Sequence, residues 1–163
     1  MSRVTVLTTA LVLAGTAAVA QIAAAESPSI EGSYTLVKRV LADGSEVTPP
    51  DVVGFMTFTG EYRNFNVRWG SADNPTSVSY VCKYTLSDEE YCEEPLYWLQ
   101  NNLGEPGLAY AAPAEKSECS QVSHEDGAVS FAIKGEPVVV RFEGETFTAT
   151  AEGQFVDHWK RVE

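Results

Sequence analysis

The residues that could do acid–base or metal chemistry are few in this chain, and their spacing does not assemble a centre. It has two histidines. His124 is followed by Glu125-Asp126 at a turn, and His158 lies in the final apolar-alternating run. Neither has a metal-type partner at a fixed offset, and no Ser-His-Asp order, glycine-rich phosphate loop or HExxH sequence occurs. The acidic run Asp88, Glu89, Glu90, Glu93, Glu94 lacks the alternating oxygen ligands and central glycine of a calcium loop. No metal and no cofactor is expected. Asp157 and His158 are the one local acid–base pair, and neighbouring strand residues point to opposite faces. An enzyme of the barrel-isomerase type, which needs a convergent acid–base pair in the cup, stays open as a third class behind the binding readings.

What the chain does offer is apolar recognition. Phe55, Phe58, Phe65, Trp69, Tyr80, Tyr84, Phe131, Phe142, Phe147, Phe155 and Trp159 all fall in alternating segments. One alternate set of them would line the inside of any closed sheet. Arg63 shares parity with Phe65 and Trp69 and supplies a polar anchor of the kind apolar pockets use. Arg63, Trp69, Tyr80, Phe131 and Trp159 are the predicted ligand contacts. Asp157 and Arg161 flank Trp159 on its face and are expected to pair with each other.

The elements that must hold these side chains are strands. From Asp126 onward, runs of seven to nine residues are set off by Asp-Gly, Gly-Glu, Gly-Glu and Gly-Gln signals, the pattern of four hairpin-connected strands. Upstream, Ile30 to Leu41, Val52 to Thr59, Tyr62 to Trp69 and Val78 to Thr85 alternate similarly, and Glu118 to Ser123 adds a short run. In the first strand a uniform alternation puts Gly32, Tyr34, Leu36 and Lys38 on one side. Between them, Ser87 and Glu90 fit a helix capping box, Pro95 suits a helix start, and Leu96, Leu99 and Leu103 recur at helical spacing before Gly104. The expected fold is mainly β: an up-and-down antiparallel β-barrel of about eight strands, with one or two short helices near residues 88–103. About eight strands is a number at which an antiparallel sheet can close and lose its edges.

Composition bounds the setting. Residues 4–25 carry no charge and end in small residues, with Ala23-Ala24-Ala25 offering an A-x-A cleavage pattern and Ala18-Val19-Ala20 a second one. Residues 1–25 read as a signal peptide and residues 26–163 as a single domain without a membrane span, periplasmic or secreted. The chain has 11 basic against 23 acidic residues, a formal net charge of −12, which repels nucleic acid and anionic lipid. Three cysteines, Cys82, Cys92 and Cys119, imply one disulfide and one thiol in an oxidising compartment, with Cys82–Cys92 and Cys92–Cys119 both open.

The Gly32-Ser33-Tyr34-Thr35-Leu36-Val37 opening, the Gly54–Gly60 hairpin and the closing Asp157-His158-Trp159-Lys160-Arg161-Val162 together resemble a bacterial lipocalin-like (calycin) domain. That resemblance implies a closed barrel with a ligand cup. It also implies a structural contact between an aromatic ring on the first strand and an arginine on the last, at Tyr34 and Arg161, with tyrosine in place of the family's tryptophan. The function expected is binding of a small apolar or amphipathic ligand. The alternative is a filled barrel acting as a protein-interaction module, an acidic inhibitor or envelope accessory protein. It would engage a basic partner through its loops and through exposed Tyr91, Tyr97 and Trp98.

Overall fold

The computed structural model describes residues 29–101, 107–111, 117–133 and 135–162. These residues form twelve strands and no helix. They are β1 (Gly32–Leu41), β2 (Glu46–Val47), β3 (Val52–Phe58), β4 (Tyr62–Ser71), β5 (Asn74–Leu86), β6 (Glu90–Asn101), β7 (Leu108–Ala111), β8 (Glu118–Glu125), β9 (Ala128–Ile133), β10 (Val138–Glu143), β11 (Thr146–Ala151) and β12 (Phe155–Arg161). Ten of them close a ring in the order β1-β3-β4-β5-β6-β8-β9-β10-β11-β12, every neighbour antiparallel, with β12 returning to β1. Strand β2 extends the sheet beside the end of β1, and β7 does so beside the end of β6.

The turns explain why consecutive strands pair. Asp126 and Gly127 both have positive φ, 52° and 79°, the backbone of a two-residue hairpin turn whose twist matches that of its strands. Alternation then sorts the faces. Along β3, Val52, Gly54, Met56 and Phe58 are buried, while Val53 and Phe55 are exposed. The inward residues of the ring meet as an aromatic core. Tyr91 stacks on Phe131 with centroids 3.9 Å apart, and Phe147 stacks on Trp159 at 5.4 Å with the planes 6° apart. Tyr34 makes edge contacts with Phe58, Phe142 and Phe147. Gly54 is where the Trp159 ring lies against β3: a Cβ there would fall 2.5 Å from Cη2 of that ring.

The segment expected to be helical is strand β6. Ser87 does make the capping interaction, its Oγ accepting from the amides of Glu89 (3.3 Å) and Glu90 (3.0 Å). That turn closes the β5–β6 hairpin, with the Ser87 amide donating to the Glu90 carbonyl at 2.9 Å. A cap satisfies local amides in either context, so it does not decide between helix and hairpin. Pro95 is accommodated opposite Cys82 where the β5–β6 register shifts, the kind of irregularity at which a strand tolerates a residue without an N–H. Leu99 pairs with Ser79 of β5, and Leu96 is the extra residue at that register shift, between Pro95 and Tyr97; Leu103 and Gly104 lie outside the described residues, as does the expected signal segment 1–25. With β6 counted, the ring holds ten strands where about eight were expected.

A second departure occurs in β1. Its ladder with β12 slips between Leu36 and Lys38, leaving Val37 as an extra, exposed residue. Beyond this bulge the inward position passes to Arg39, and Lys38 turns outward to Glu46. Of the cysteines, Cys92 and Cys119 are bonded across the β6–β8 ladder and Cys82 is a buried thiol.

Candidate functional site

The barrel interior has three levels. At the end where β1 starts, Arg161 lies directly opposite Tyr34 in the β1–β12 register. Its Nη2 donates to the Tyr34 hydroxyl (2.9 Å) and to the Ser29 carbonyl (3.1 Å), and its Cζ lies 5.3 Å from the Tyr34 ring centroid. The Tyr34 hydroxyl in turn donates to the Ile30 carbonyl at 3.0 Å. Residues 29–30 are thereby tied down, and the Ile30 side chain is buried in the core. Gly32 allows the guanidinium to approach, since a Cβ there would come within 3.2 Å of Nη1.

At mid-barrel, β4, β5 and β6 each contribute to one buried polar cluster. Arg63 Nη1 donates to Glu93 Oε1 at 2.5 Å, the Tyr91 hydroxyl donates to the same oxygen, and the Tyr80 hydroxyl donates to Oε2 at 2.9 Å. The Arg63 guanidinium also lies 5.5 Å from the centroids of Phe65 and Tyr80. Burial pulls the Arg63 pKa down, but Glu93, with Tyr91 and Cys82 behind it, outweighs this and raises it. Burial and then Glu93 push the Tyr80 hydroxyl well up. Burial also raises Tyr91, with Glu93 adding to the rise and Arg63 opposing it. The Cys82 thiol beside this cluster is pushed up to about 12, by burial first and then by Glu93. A thiol so protonated is a poor nucleophile. Among the described residues Arg63 Nε is buried without a partner. Glu93 had no role in the sequence reading beyond the acidic run; in the strand it alternates with exposed Glu90 and Glu94 and points inward.

At the opposite end from Tyr34 the barrel opens. A cavity of about 540 Å³ is walled by Leu41, Val47, Val52, Trp69 and Phe155, with Arg39 at its base and Asp51 on its lining. Arg39 donates through Nε to Asp157 Oδ1 (2.6 Å) and through Nη2 to Oδ2 (2.7 Å), and both side chains are buried. Its Cζ lies 4.0 Å from the Phe155 ring centroid and 5.2 Å from that of Trp69. The acid expected to pair with Arg161 therefore pairs with Arg39. Arg161 meets Glu145 instead, at 3.2 Å.

The five predicted contacts do not converge. Arg63 and Tyr80 share Glu93, and Phe131 is one ring away, stacked on Tyr91. Trp159 is packed between Phe65 and Phe147. Trp69 alone of the five lines the mouth cavity. The sequence reading missed Arg39, hidden by the bulge, and Val47, which belongs to a two-residue strand too short to carry a periodic signal. Phe155 was legible as an inward aromatic, on the same parity as Asp157 and Trp159.

Elsewhere, His124 Nε2 lies 3.1 Å from the Asp88 carbonyl oxygen. Glu90 lies close to the sulfurs of Cys92 and Cys119, which are consumed by the disulfide and unavailable as thiolate ligands. No helix among the described residues is long and apolar enough to cross a membrane.

The described residues are thus a closed antiparallel β-barrel, consistent with a calycin-like fold. Compared with protein-family models, with curated proteins and with solved structures, the chain has no match.

Proposed function

We propose that this protein is an exported, lipocalin-like barrel that binds one small apolar or amphipathic molecule at its open mouth. The observation that carries this reading is the cavity of about 540 Å³ walled by Trp69, Phe155, Val47 and Val52 over the Arg39–Asp157 pair. Small-molecule sites are concave, mostly apolar and equipped with few polar groups, at volumes of about 300–1,000 Å³. A ligand there would bury its body against the two aromatic rings and be oriented by the guanidinium. The contact set moves accordingly from the five predicted residues to Trp69 with Arg39 and Phe155. Arg63, Tyr80, Phe131 and Trp159 act in this reading as the packed support beneath. The Cys92–Cys119 disulfide supports export, because such bonds persist in oxidising compartments.

Native mass spectrometry of protein purified from its own compartment tests the proposal. A reproducible adduct of small-molecule mass, lost in Trp69→Ala while the circular dichroism spectrum and melting temperature hold, is the expected result. Loss of the fold in Trp69→Ala would make that residue core, and a bare polypeptide mass for the unaltered chain would count against a carrier.

The filled aromatic interior favours a second reading, a protein-interaction barrel with a basic partner. Its surface would use half-buried Tyr97 and Trp98 on β6, but not Tyr91, which points into the core. A strongly salt-dependent association with a basic protein, undisturbed by mouth substitutions, would favour it.

A further inference from the structure

We infer that the mouth cavity selects an uncharged hydrogen-bond acceptor on an apolar body, a ketone, ester or alcohol, over the carboxylate of the same chain length. The inference rests on the reading of the mouth as a ligand site and concerns the charge of what enters it.

Arginine usually holds a carboxylate through two parallel donors on one side of its guanidinium. In Arg39 the side formed by Nε and Nη2 is already given to Asp157, at 2.6 and 2.7 Å. The Phe155 and Trp69 rings lie 4.0 and 5.2 Å from its Cζ. Arg39 lines the cavity, and its Nη1, with the second N–H of Nη2, makes no hydrogen bond with the described residues. The Nη1–Nη2 edge can donate to a carbonyl, a hydroxyl or a carboxylate alike, so the choice among them falls to charge.

Charge disfavours the carboxylate. Arg39 is matched by Asp157, and Asp51 adds a second carboxylate to the lining. The formal charge around the cavity is therefore negative, within a chain of net charge −12. An incoming anion would give up its hydration and find no uncompensated cation in return. A carbonyl or hydroxyl oxygen loses far less on desolvation and still takes the Nη1 donor. The walls of Val47, Val52, Trp69 and Phe155 treat the two apolar bodies alike, so the polar end decides.

Titration calorimetry of the full chain with decan-2-one and with sodium decanoate at neutral pH tests this. Saturable one-to-one binding of the ketone, lost in Trp69→Ala, is expected. Decanoate should bind at least about tenfold more weakly, the size of one unmatched like charge within ~10 Å at an effective dielectric near 20. In Asp51→Asn that ratio should narrow several-fold. Decanoate binding as tightly as the ketone would overturn the inference while leaving a mouth ligand site in place. A ratio unmoved by Asp51→Asn would overturn its electrostatic basis. Failure of both probes, or ketone binding that survives Trp69→Ala, would overturn the mouth-site reading and the inference with it.

Discussion

Replacing Glu93 by glutamine leaves the side chain almost the same shape but removes the charge that Arg63 faces. Arg63 and Glu93 are 3 % and 6 % exposed, so water cannot take over for the missing carboxylate. Tyr91 donates to Oε1 and Tyr80 to Oε2, so the amide keeps an acceptor for one phenol only and sets its NH₂ against the other, beside the stranded guanidinium. Breaking a buried pair from one side costs about 3–5 kcal/mol, against a total stability of about 5–15 kcal/mol for a domain. At an m-value near ~2 kcal/mol/M the urea midpoint should fall by roughly 2 M. Urea unfolding followed by tryptophan fluorescence measures it. The double variant Arg63→Met/Glu93→Gln removes both charges and keeps an acceptor for one of the two phenols. It should recover about 2 kcal/mol or more of the loss, since no ion is then stranded. A single-variant cost below about 1 kcal/mol, or a double variant no more stable than the single, would refute the argument that this pair is locked inside the barrel.

Two further outcomes follow from packing and from proton linkage. Gly54→Ala should lower stability by about 1–3 kcal/mol, because its Cβ would lie 2.5 Å from Cη2 of Trp159 and 2.9 Å from Cβ of Leu36, both buried; an unchanged melting temperature would show that the ring can yield. Stability should also decline between about pH 10 and pH 12. Tyr34, Tyr80, Tyr84 and Tyr91 are all raised, chiefly by burial, Tyr84 to about 12. Their phenols stay protonated in the folded barrel while the unfolded chain releases protons near pH 10, so the contribution is whole below that pH and is lost above it. Urea midpoints across this range, with tyrosinate absorbance as a parallel readout, should fall together; flat midpoints would contradict the buried phenols.

The strand meander from Ala128 to Arg161 was readable because each reversal carries its own turn chemistry, as at Asp126-Gly127, and each strand alternates cleanly. The β6 segment was misread for a physical reason. Its cap at Ser87 and its leucine spacing are local signals, whereas its extended state is set by pairing with β5 on one side and with β7 and β8 on the other. Site legibility divides in the same way. Arg63, Trp69, Tyr80, Phe131 and Trp159 were found as inward residues by parity, but parity does not tell a filled level from an open one. That distinction depends on which rings meet across the barrel, as Tyr91 and Phe131 do. Glu93 was obscured because an acidic run looks like a solvated surface until the strand's alternation singles one member out.

The bulge at Val37 lets the two ends of β1 run in different phases. Counting from Tyr34, strict alternation would bring Lys38 inside and send Arg39 to solvent; the extra residue absorbs one step and restores the guanidinium to the interior. An added residue in a strand ordinarily exchanges its two faces for the rest of its length. Here the surplus is spent on an exposed valine, and the mouth is uncoupled from the floor. Substitutions that reshape the cup need not respect the register that holds Tyr34 to Arg161, so the same base could carry mouths of different chemistry.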